Sequence, residues 1–468
     1  MFTRTVPTLN LKKGREKRIF FKKEPFMKKT ACLLAFFLSL SFLFTGCSGS
    51  ASGLSPDVPV TLTMWHVFGE QAESPMNALI EEFNNTVGRK KGVLIDVTAM
   101  SNASAIGQQL LDARDRKPGS GEMPDLFFCH PSNAEALGTN SLMDWKDCFS
   151  EQELSGFVPD FLKEGTLENH LTVFPVSKST FLLFLNGTQF QRFSSACGIT
   201  EADLSTWEGF YRAADAYYRW SGGKPFCAFD YPLISEMLEA EASGSDVLRS
   251  DGWFSPENDS FRKAALRFGK ALAEGTAVLS DQYSNTQVMT GEVLAGISSS
   301  AAILYYNDTV TYPDNTSEPL NLKILPPPVS ASGTPYATQA GVGLCALRAD
   351  GKKQEAVSLF AHWLTESRRN LDFAVSAGYM PVRTDAFEQI PGHSFANEAY
   401  ASLYDALSKV RNTCTFRTDP SNPVFYQNVE KVYSAVREKQ SAWHARFLKG
   451  EQSDALSMEY WQIIVSAG

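Results

Sequence analysis

Three side chains that could bind a polar ligand stand at the ends of strand-like segments of the sequence. Trp65 and His66 lie at the end of the segment over 58–65, and His130 follows the segment over 125–129. Their rings can stack on a ligand or form hydrogen bonds with it. Ligands of parallel α/β sheets bind beyond the carboxyl ends of the strands, so their positions make these three residues candidates for a binding site.

The sequence lacks the common motifs of metal, phosphate and nucleophilic chemistry. Its six His residues form no HExxH, its Cys residues form no CxxC, and neither GxxxxGKS/T nor GxSxG occurs. Residues 341–346 match GxGxxA, but 347–351 read Leu-Arg-Ala-Asp-Gly instead of a long amphipathic helix, so we expect no dinucleotide site. We therefore expect neither a metal nor a cofactor.

An enzymatic alternative stays open at this point. The 50 Asp and Glu residues after residue 46 would allow a carboxylate pair of the kind that glycosidases use. The sequence alone does not pair them, and a solvated acidic surface accounts for nearly all of these residues.

The elements that would position the candidate residues alternate between strands and helices. Strand-like segments over 58–65, 93–97 and 125–129 are separated by helical patterns over 74–84 and 103–116. This order predicts a mostly parallel sheet with helices on its faces, and hence an α/β fold.

The rest of the chain is mainly helical and is long enough for a second lobe, since a chain of 468 residues exceeds the size of one usual domain. A buried crossing strand is predicted over 180–186, with further strand-like segments over 293–300 and 341–346. The main helical patterns cover 207–220, 232–242, 261–273 and most of the chain from residue 353.

The first 46 residues resemble the signal of a bacterial lipoprotein. Residues 31–44 are uncharged and mostly apolar, and small residues precede Cys47. The resemblance implies that Cys47 is acylated and becomes the mature N-terminus, with translation starting at Met27. The pattern departs from that signal at Phe44, where an aliphatic residue is usual. A retained anchor helix is the alternative, although the apolar stretch is short for a membrane span.

Charge is divided unevenly along the chain. The first 46 residues contain ten Lys or Arg and two acids, so the formal net charge of −9 leaves about −17 on the following 422 residues. Such a body is repelled by nucleic-acid phosphates and by anionic membrane surfaces. A hydrophobic content of 43% excludes a disordered chain. Residues 47–57 are rich in Gly and Ser and predict a flexible tether.

Six Cys residues follow Cys47, and their spacing is too irregular for a disulfide scaffold. Export would permit disulfides, but we expect buried free thiols. The six are Cys129, Cys148, Cys197, Cys227, Cys345 and Cys414.

Seven segments in a fixed order carry a family pattern. They are MWHVFGEQAESPMNALIEEFNN (64–85), GEMPDLFF (121–128), PVSKSTFLLFLN (175–186), STWEGFYRAADAYY (205–218), VMTGEVLAGISSS (288–300), QEAVSLFAHWLTES (354–367) and SAGYMPVRTDAF (376–387). Together they resemble the family 1 extracellular solute-binding proteins of ABC importers, which include binders of maltose, of other sugars and of glycerol-3-phosphate. Each motif is weak by itself, whereas their order and spacing are specific.

The resemblance implies an α/β fold of the periplasmic-binding-protein type, with two lobes, a hinge and an interlobe cleft. The first lobe is expected over 58–178 plus about 297–346, and the second over 179–296 plus about 347–468. It also implies a monomer at the periplasmic or outer side of the membrane, held there by a lipid on Cys47. Such a protein delivers a small solute to the permease subunits of an ABC transporter, without catalysis and without nucleic acid.

Within the family, the motifs are most similar to those of glycerol-3-phosphate binders. Hydroxyls and backbone N–H groups can donate to phosphate oxygens, and Arg offers a bidentate fork. The residues that this resemblance places at the polar end of a ligand are Ser179, Ser300, the backbone N–H of Gly341, Tyr379 and Arg417, and Ser299 of the matching Ser299-Ser300 pair is a further ligand-binding candidate.

The sequence departs from those binders at two places. His130-Pro131 stands where they have Tyr-Glu, so glycerol hydroxyls would lack a carboxylate partner, and Asp230-Tyr231 stands where they have a Trp pair. We therefore expect a small carbohydrate, with glycerol-3-phosphate or a related phosphodiester as the alternative and a surface glycosidase as a more distant one. The aromatic platforms for a sugar would be Trp65, Tyr231, Trp253 and Tyr379.

Overall fold

The computed structural model describes residues 53–68, 74–100, 103–281, 283–418, 420 and 423–468. The leader over 1–46, Cys47 and the tether residues before 53 lie outside the described residues. Among the helices described, none combines the length and the apolar character needed to cross a membrane.

The strands are mostly short. They are β1 (Val60–His66), β2 (Val93–Ala99), β3 (Leu126–Cys129), β4 (Thr166–Leu167), β5 (His170–Leu171), β6 (Phe181–Leu185), β7 (Cys227–Phe229), β8 (Ala277–Leu279), β9 (Ala295–Ser299), β10 (Thr309–Thr311), β11 (Ser317–Pro319), β12 (Lys323–Leu325), β13 (Tyr336–Gln339), β14 (Gly343–Ala346) and β15 (Thr415–Thr418).

Helices occupy most of the remaining chain. They are α1 (Pro75–Phe83), α2 (Arg89–Lys91), α3 (Ala103–Arg114), α4 (Pro131–Leu137), α5 (Glu151–Leu154), α6 (Pro159–Glu164), α7 (Gly187–Cys197), α8 (Trp207–Trp220), α9 (Pro232–Glu241), α10 (Asp259–Glu274), α11 (Ser284–Met289), α12 (Gly351–Leu364), α13 (Ser367–Ala377), α14 (Thr384–Gln389), α15 (Glu398–Thr413), α16 (Pro423–Leu448) and α17 (Ser453–Ser466).

Two sheets form the framework. The first has the order β14-β3-β1-β2, with β1 parallel to β2 and β3 and with β14 antiparallel to β3. The second has the order β12-β6-β9-β7-β8, with β7 parallel to β8 and β9 and with β6 antiparallel to β9. The predicted mostly parallel arrangement therefore holds for β1, β2 and β3, to which β14 is added antiparallel. In the second sheet β7, β8 and β9 are parallel, and β6 is antiparallel to both of its neighbours.

Residue type explains how each strand sits in its sheet. Every residue of β3 (LFFC) and β6 (FLLFL) is buried, as expected for strands with both faces covered. In β1 the burial alternates, with Leu62, Met64 and His66 buried on one face. The side chain of Trp65 consequently points to the face opposite His66.

Two neighbouring stretches, which we call the crossing segments (174–181 and 338–343), join the sheets. Phe174 pairs with Leu344 of β14 in the first sheet, and Ser179 pairs with Ala340. The first segment then enters the second sheet as β6. Because the two stretches run antiparallel and share hydrogen bonds, they hold the adjoining edges of both sheets at a common boundary.

The sheets divide the chain differently from the expected lobe ranges at two places. β12 falls within the range expected for the first lobe, yet Lys323–Leu325 hydrogen-bonds to β6 of the second sheet. α12 falls within the range expected for the second lobe, yet it packs against β1 of the first sheet and against α1. Strand pairing and apolar packing decide which sheet an element joins, and neither follows from the order of segments along the chain.

The six described Cys residues are free, as expected, although only Cys129, Cys227 and Cys345 are buried and Cys197 is exposed. The Sγ atoms of Cys129 and Cys345 lie 3.6 Å apart. Cys129 pairs with Gly343 and Cys345 pairs with Phe127, so the two Cys are diagonal neighbours on adjacent strands. Diagonal Cα atoms stand about 7–8 Å apart, which exceeds the span of a disulfide.

Asn370 ties the first crossing segment to the chain after α13. Its side chain is fully buried, its Nδ2 donates to Val176 O at 2.7 Å, and its Oδ1 accepts from Val382 N at 2.8 Å. We expect Asn370→Ala to lower the free energy of unfolding by about 2 kcal/mol or more, because it leaves a buried carbonyl and a buried N–H unpaired. Urea denaturation measures the loss.

The exposed Asn307 supplies a matched control for this substitution. Asn307→Ala should change the free energy of unfolding by no more than about 0.5 kcal/mol. Equal losses in the two variants would contradict the role given to Asn370.

Candidate functional site

The crossing segments bring one edge of each sheet together. At the first sheet this edge is formed by the carboxyl ends of β1 and β3 and by the start of β14. At the second sheet it is formed by the start of β6 and the carboxyl ends of β7, β8 and β9. We call the residues at these edges the strand-end region, and its members among the predicted ligand residues are His130, Ser179, Tyr231, Ser299, Ser300, Gly341 and Tyr379.

Ser179, Gly341 and Tyr379 meet at the crossing segments. Ser179 N donates to Ala340 O at 2.9 Å and Ala340 N donates to Ser179 O at 3.0 Å, which places Gly341 beside Ser179. Gly341 has a φ of +119°, a conformation that glycine adopts without strain. Lys178 pairs with Met380, so the partly exposed Tyr379 lies next to the same boundary. The sequence predicted this grouping, and the structure brings the three residues together.

Ser299 and Ser300 end β9 beside the start of β6. Ser299 Oγ accepts from Ala301 N at 3.3 Å, and the residue remains partly exposed. Ser300 N donates to Thr180 O at 2.8 Å. Ser300 is fully buried and its Oγ has no hydrogen-bond partner within the described ranges. Of the pair, only Ser299 presents its side chain toward solvent.

His130 follows β3 and precedes α4 as a partly exposed side chain. Burial lowers the pKa of His130 to about 4, and the positive charge of Lys178 contributes to this lowering. Lys178 itself is buried and forms an ion pair with Glu164. A neutral imidazole has one donor and one acceptor nitrogen, so His130 suits a hydroxyl better than an anion.

His66 is a structural residue, which contradicts its predicted contact with ligand. The side chain is fully buried; Nε2 lies 2.8 Å from Asn77 Oδ1, and Nδ1 accepts from Phe68 N at 3.1 Å. The backbone donor fixes the proton on Nε2, and burial lowers the pKa of the ring. Both nitrogens are therefore occupied within the first sheet and its covering helix.

Trp65 lies at the carboxyl end of β1, on the face opposite His66. It lines a pocket of about 510 Å³ together with Thr98, Asp112 and the loop over 117–121. The partly buried ring packs against the apolar cluster that includes Cys129, and none of the other predicted ligand residues lines its pocket.

Trp253 is a core residue of the second sheet's helices, which contradicts its predicted role as a platform. The ring is 2% exposed, its Nε1 donates to Ile464 O at 2.9 Å, and it packs against Phe254 and Phe425. The indole N–H has its partner inside the protein, and no face of the ring is left for a ligand.

Arg417 has its guanidinium fork filled by another part of the chain. Nε and one terminal nitrogen donate to the two carboxylate oxygens of Glu241 at 2.9 and 3.0 Å. The guanidinium also lies 5.4 Å from the ring centre of Tyr336. The expected phosphate contact would require this bidentate ion pair to break.

Exposed tyrosines mark the edge of the second sheet. Tyr231 follows β7, Tyr283 follows β8, and Tyr305 ends the 3₁₀ turn after β9, with exposed fractions of 41%, 63% and 54%. Tyr231 stacks on Phe181, with ring centres 5.4 Å apart and planes 3° apart. The carboxyl ends of β7, β8 and β9 share one edge because the strands are parallel, and a hydrogen bond of 3.4 Å from Asn285 Nδ2 to Tyr305 O keeps Tyr305 beside the segment that contains Tyr283.

Sequence reasoning found Tyr231 but missed Tyr283 and Tyr305. The available signal was an aromatic residue shortly after each strand of a parallel set. It was weak because β8 has three residues and the second sheet's strand order is not sequential.

A separate pocket of about 760 Å³ lies between α7 and α15. Its lining includes Phe190, Tyr306, Lys323 and Tyr400, and none of the predicted ligand residues belongs to it. Its size alone does not make it the binding site, since the predicted residues converge elsewhere.

Comparison with known proteins gives a family and a fold. Residues 78–400 match the sequence profile of the family described as bacterial extracellular solute-binding protein. No curated protein sequence matches the chain.

Three solved structures illustrate the likeness. The cyclic alpha-maltosyl-1,6-maltose binding protein from Arthrobacter globiformis has a TM-score of 0.64 and 14% identity, over 87% of this chain and 99% of that one. The sugar-binding protein MalE from Xanthomonas citri has a TM-score of 0.63 and 15% identity, over 87% and 98%. UgpB from Mycobacterium tuberculosis, in complex with glycerophosphocholine, has a TM-score of 0.61 and 15% identity, over 87% and 98%. These likenesses confirm the predicted two-lobed α/β fold.

The neutral state of His130 can be measured directly. In the folded protein we expect the ring to titrate with a midpoint near 4, whereas an ordinary imidazole titrates near 6.5. The folded state then binds fewer protons than the unfolded state between these values, so the contribution of His130 to stability is lost as pH falls through this window. NMR of the His130 ring protons gives the midpoint.

His130→Gln provides the control, because it should flatten the pH dependence of unfolding between about pH 4 and 6.5. A ring midpoint above 6 would contradict the buried, neutral imidazole.

Proposed function

The chain belongs to the bacterial extracellular solute-binding proteins, and from this membership we propose that it captures a neutral carbohydrate for an ABC permease. The ligand would bind at the strand-end region between two lobes, one built on each sheet. The observation that carries this proposal is the set of exposed tyrosines, Tyr231, Tyr283 and Tyr305, at one edge of the second sheet. Tyrosine rings stack on the C–H faces of sugars and their hydroxyls form hydrogen bonds.

Polar contacts would come from both sheets and from the crossing segment between them. The neutral His130 of the first sheet can exchange hydrogen bonds with a sugar hydroxyl, Ser179 of the crossing segment offers a hydroxyl group, and Ser299 offers another at the end of β9. A ligand that touches both edges favours the state in which the lobes approach each other, by the difference in its affinity for the two states. The permease would then recognise the closed, loaded monomer.

A phosphodiester is the second candidate, because the neighbouring UgpB structure holds glycerophosphocholine. Three features of this chain oppose an anionic ligand. Arg417 is paired with Glu241, His130 is neutral, and the residues after 46 carry a net charge of about −17. An incoming phosphate would meet repulsion at long range, and the guanidinium predicted to bind it, that of Arg417, already holds Glu241.

We further propose that the protein binds without catalysis. Binding and release require no covalent step, so the lobes need only recognise the solute and do not need a nucleophile. Among the described residues, no three His, Cys, Asp or Glu side chains are arranged to hold a metal ion.

Export and anchoring belong to the same proposal. The apolar stretch over 31–44 followed by Cys47 supports cleavage before Cys47 and acylation of its thiol, with translation starting at Met27. The tether over 47–57 would then hold the two lobes near the membrane while leaving them free to move.

The carbohydrate proposal is tested by calorimetry with maltose, maltotriose and glycerophosphocholine as probes. We expect saturable binding of a sugar, and we expect Tyr283→Ala to weaken it about tenfold because a stacking face is lost. Leu448→Ala is the matched control, since Leu448 is 66% exposed at the end of α16, outside the strand-end region. It should leave affinity unchanged.

Other outcomes separate the alternatives. Tight binding of glycerophosphocholine that Arg417→Ala abolishes would favour the phosphodiester candidate. Shortened oligosaccharides in the incubated sample would reveal a glycosidase. Failure of every probe to bind or to raise the melting temperature would reject the carbohydrate proposal.

The anchor is tested by Cys47→Ser in the expressing cell. We expect the native protein in the membrane fraction, with a mass that shows a lipid on Cys47, and the variant in the soluble exported fraction. A native protein that retains Met27 and carries no lipid would support the anchor helix instead.

A further inference from the structure

We propose that Asp230 is a positioning residue that holds Tyr231 and Tyr283 in the orientation that contacts ligand. The expected effect of Asp230 on ligand binding rests on the proposed function. Its effect on the positions of Tyr231 and Tyr283 does not. The residue stands at the carboxyl end of β7, between the last residue of that strand and Tyr231.

Asp230 joins its strand to both neighbouring strands, through its carboxylate on one side and its backbone on the other. Its Oδ1 accepts from Ser284 N at 2.8 Å and from Ser280 Oγ at 2.8 Å. Its backbone N donates to Ile297 O of β9 at 3.1 Å. The end of β7 is thereby tied to β9 on one side and, through Ser280 and Ser284, to the turn that follows β8 on the other.

Tyr283 lies inside the segment that these bonds hold. Ser280 and Ser284 stand on either side of Tyr283 in the sequence, and Tyr283 directly precedes the residue whose amide donates to Asp230. The Tyr283 residue is 63% exposed, and the Asp230 carboxylate fixes the backbone of the next residue, Ser284.

Tyr231 is held by the same residue from the other direction. It directly follows Asp230, so the bond between Asp230 N and Ile297 O fixes its backbone beside β9. Its ring lies parallel to Phe181 at the start of β6. Asp230 therefore sets the spacing between two exposed aromatic faces that come from different strands.

Asp230 is a buried acid without a cationic partner, which indicates that its hydrogen bonds serve the shape of this edge. The residue is 5% exposed and forms no ion pair with any described Lys or Arg. Burial raises the pKa of its carboxyl group, and hydrogen bonds from Ser298, Ser280 and Ser284 oppose that rise. A buried acid without a cation is costly, so an apolar side chain would stabilise the fold better unless the bonds are needed for shape.

Glu236 provides a matched comparison within the same lobe. It is also 5% exposed, but its Oε1 accepts from Tyr460 OH at 2.9 Å within the helices that cover the second sheet. Glu236 lies on α9, which follows Tyr231, but its hydrogen bond runs to Tyr460 and not to Tyr231 or Tyr283, so its removal perturbs a buried acid of equal exposure without removing a bond that holds the tyrosine edge.

The first experiment needs no ligand. Hydrogen exchange in the full chain should be faster at the Ser284 amide in Asp230→Ala by about tenfold or more, because its acceptor is gone. Asp230→Asn keeps an Oδ1 acceptor and should exchange within about twofold of the native rate. Glu236→Ala should leave this amide unchanged even if it lowers the melting temperature.

The second experiment measures maltotriose affinity in the same variants. We expect Asp230→Ala to bind about tenfold more weakly, and Asp230→Asn and Glu236→Ala to bind within about twofold of the native chain. If Asp230 only supported the fold, affinity would fall whenever stability falls. Affinity that Asp230→Asn restores, and that a destabilised Glu236→Ala keeps, therefore indicates positioning. If Asp230→Ala fails to fold, Ser280→Ala replaces it, with a smaller but measurable gain in exchange at Ser284.

The outcomes separate this inference from the proposed function. Unchanged exchange at Ser284 in Asp230→Ala, or faster exchange with unchanged affinity, overturns the positioning role. If the native chain binds no sugar, the carbohydrate proposal fails, and the exchange data alone decide whether Asp230 holds Tyr283.

Discussion

The antiparallel pairing of the two crossing segments is the constraint on which the rest of the molecule depends. Ser179 and Ala340 exchange backbone hydrogen bonds, and Lys178 and Met380 pair beside them. These bonds place the carboxyl edge of the first sheet against one edge of the second. Without them the same two sheets could form, but their strand ends would not face a common space, and residues more than a hundred positions apart would not share a site.

Structural residues differ from candidate ligand residues in whether their polar atoms already have hydrogen-bond partners within the protein. His66 and Trp253 look like binding residues in the sequence, yet their ring nitrogens are bonded within the protein. His130 and the exposed tyrosines present their side chains to solvent at the strand ends. Arg417 shows the same rule for charge, because a guanidinium that already holds a carboxylate recognises an incoming anion poorly.

The spacing of apolar residues along the sequence predicted most of the secondary structure. The helix expected over 207–220 is observed as α8, and the one expected over 261–273 as α10 with its N-cap at Asn258. The strands of the first sheet lie within two residues of their expected starts. The expected lobe ranges separate β12 from β6 and α12 from β1, whereas β12 hydrogen-bonds to β6 and α12 packs against β1, and sequence order does not reveal these partners.

The sequence by itself determined the elements, the family and the absence of familiar catalytic motifs, since these follow from residue type and spacing along the chain. It also indicated His130, Ser179, Gly341 and Tyr379, which stand at recognisable positions next to strands. Tertiary structure alone decided that Arg417 meets Glu241, that Trp253 is core, and that Tyr283 and Tyr305 join Tyr231. The physical reason is that hydrogen-bond partners and burial are set by segments distant in sequence, which no local pattern records.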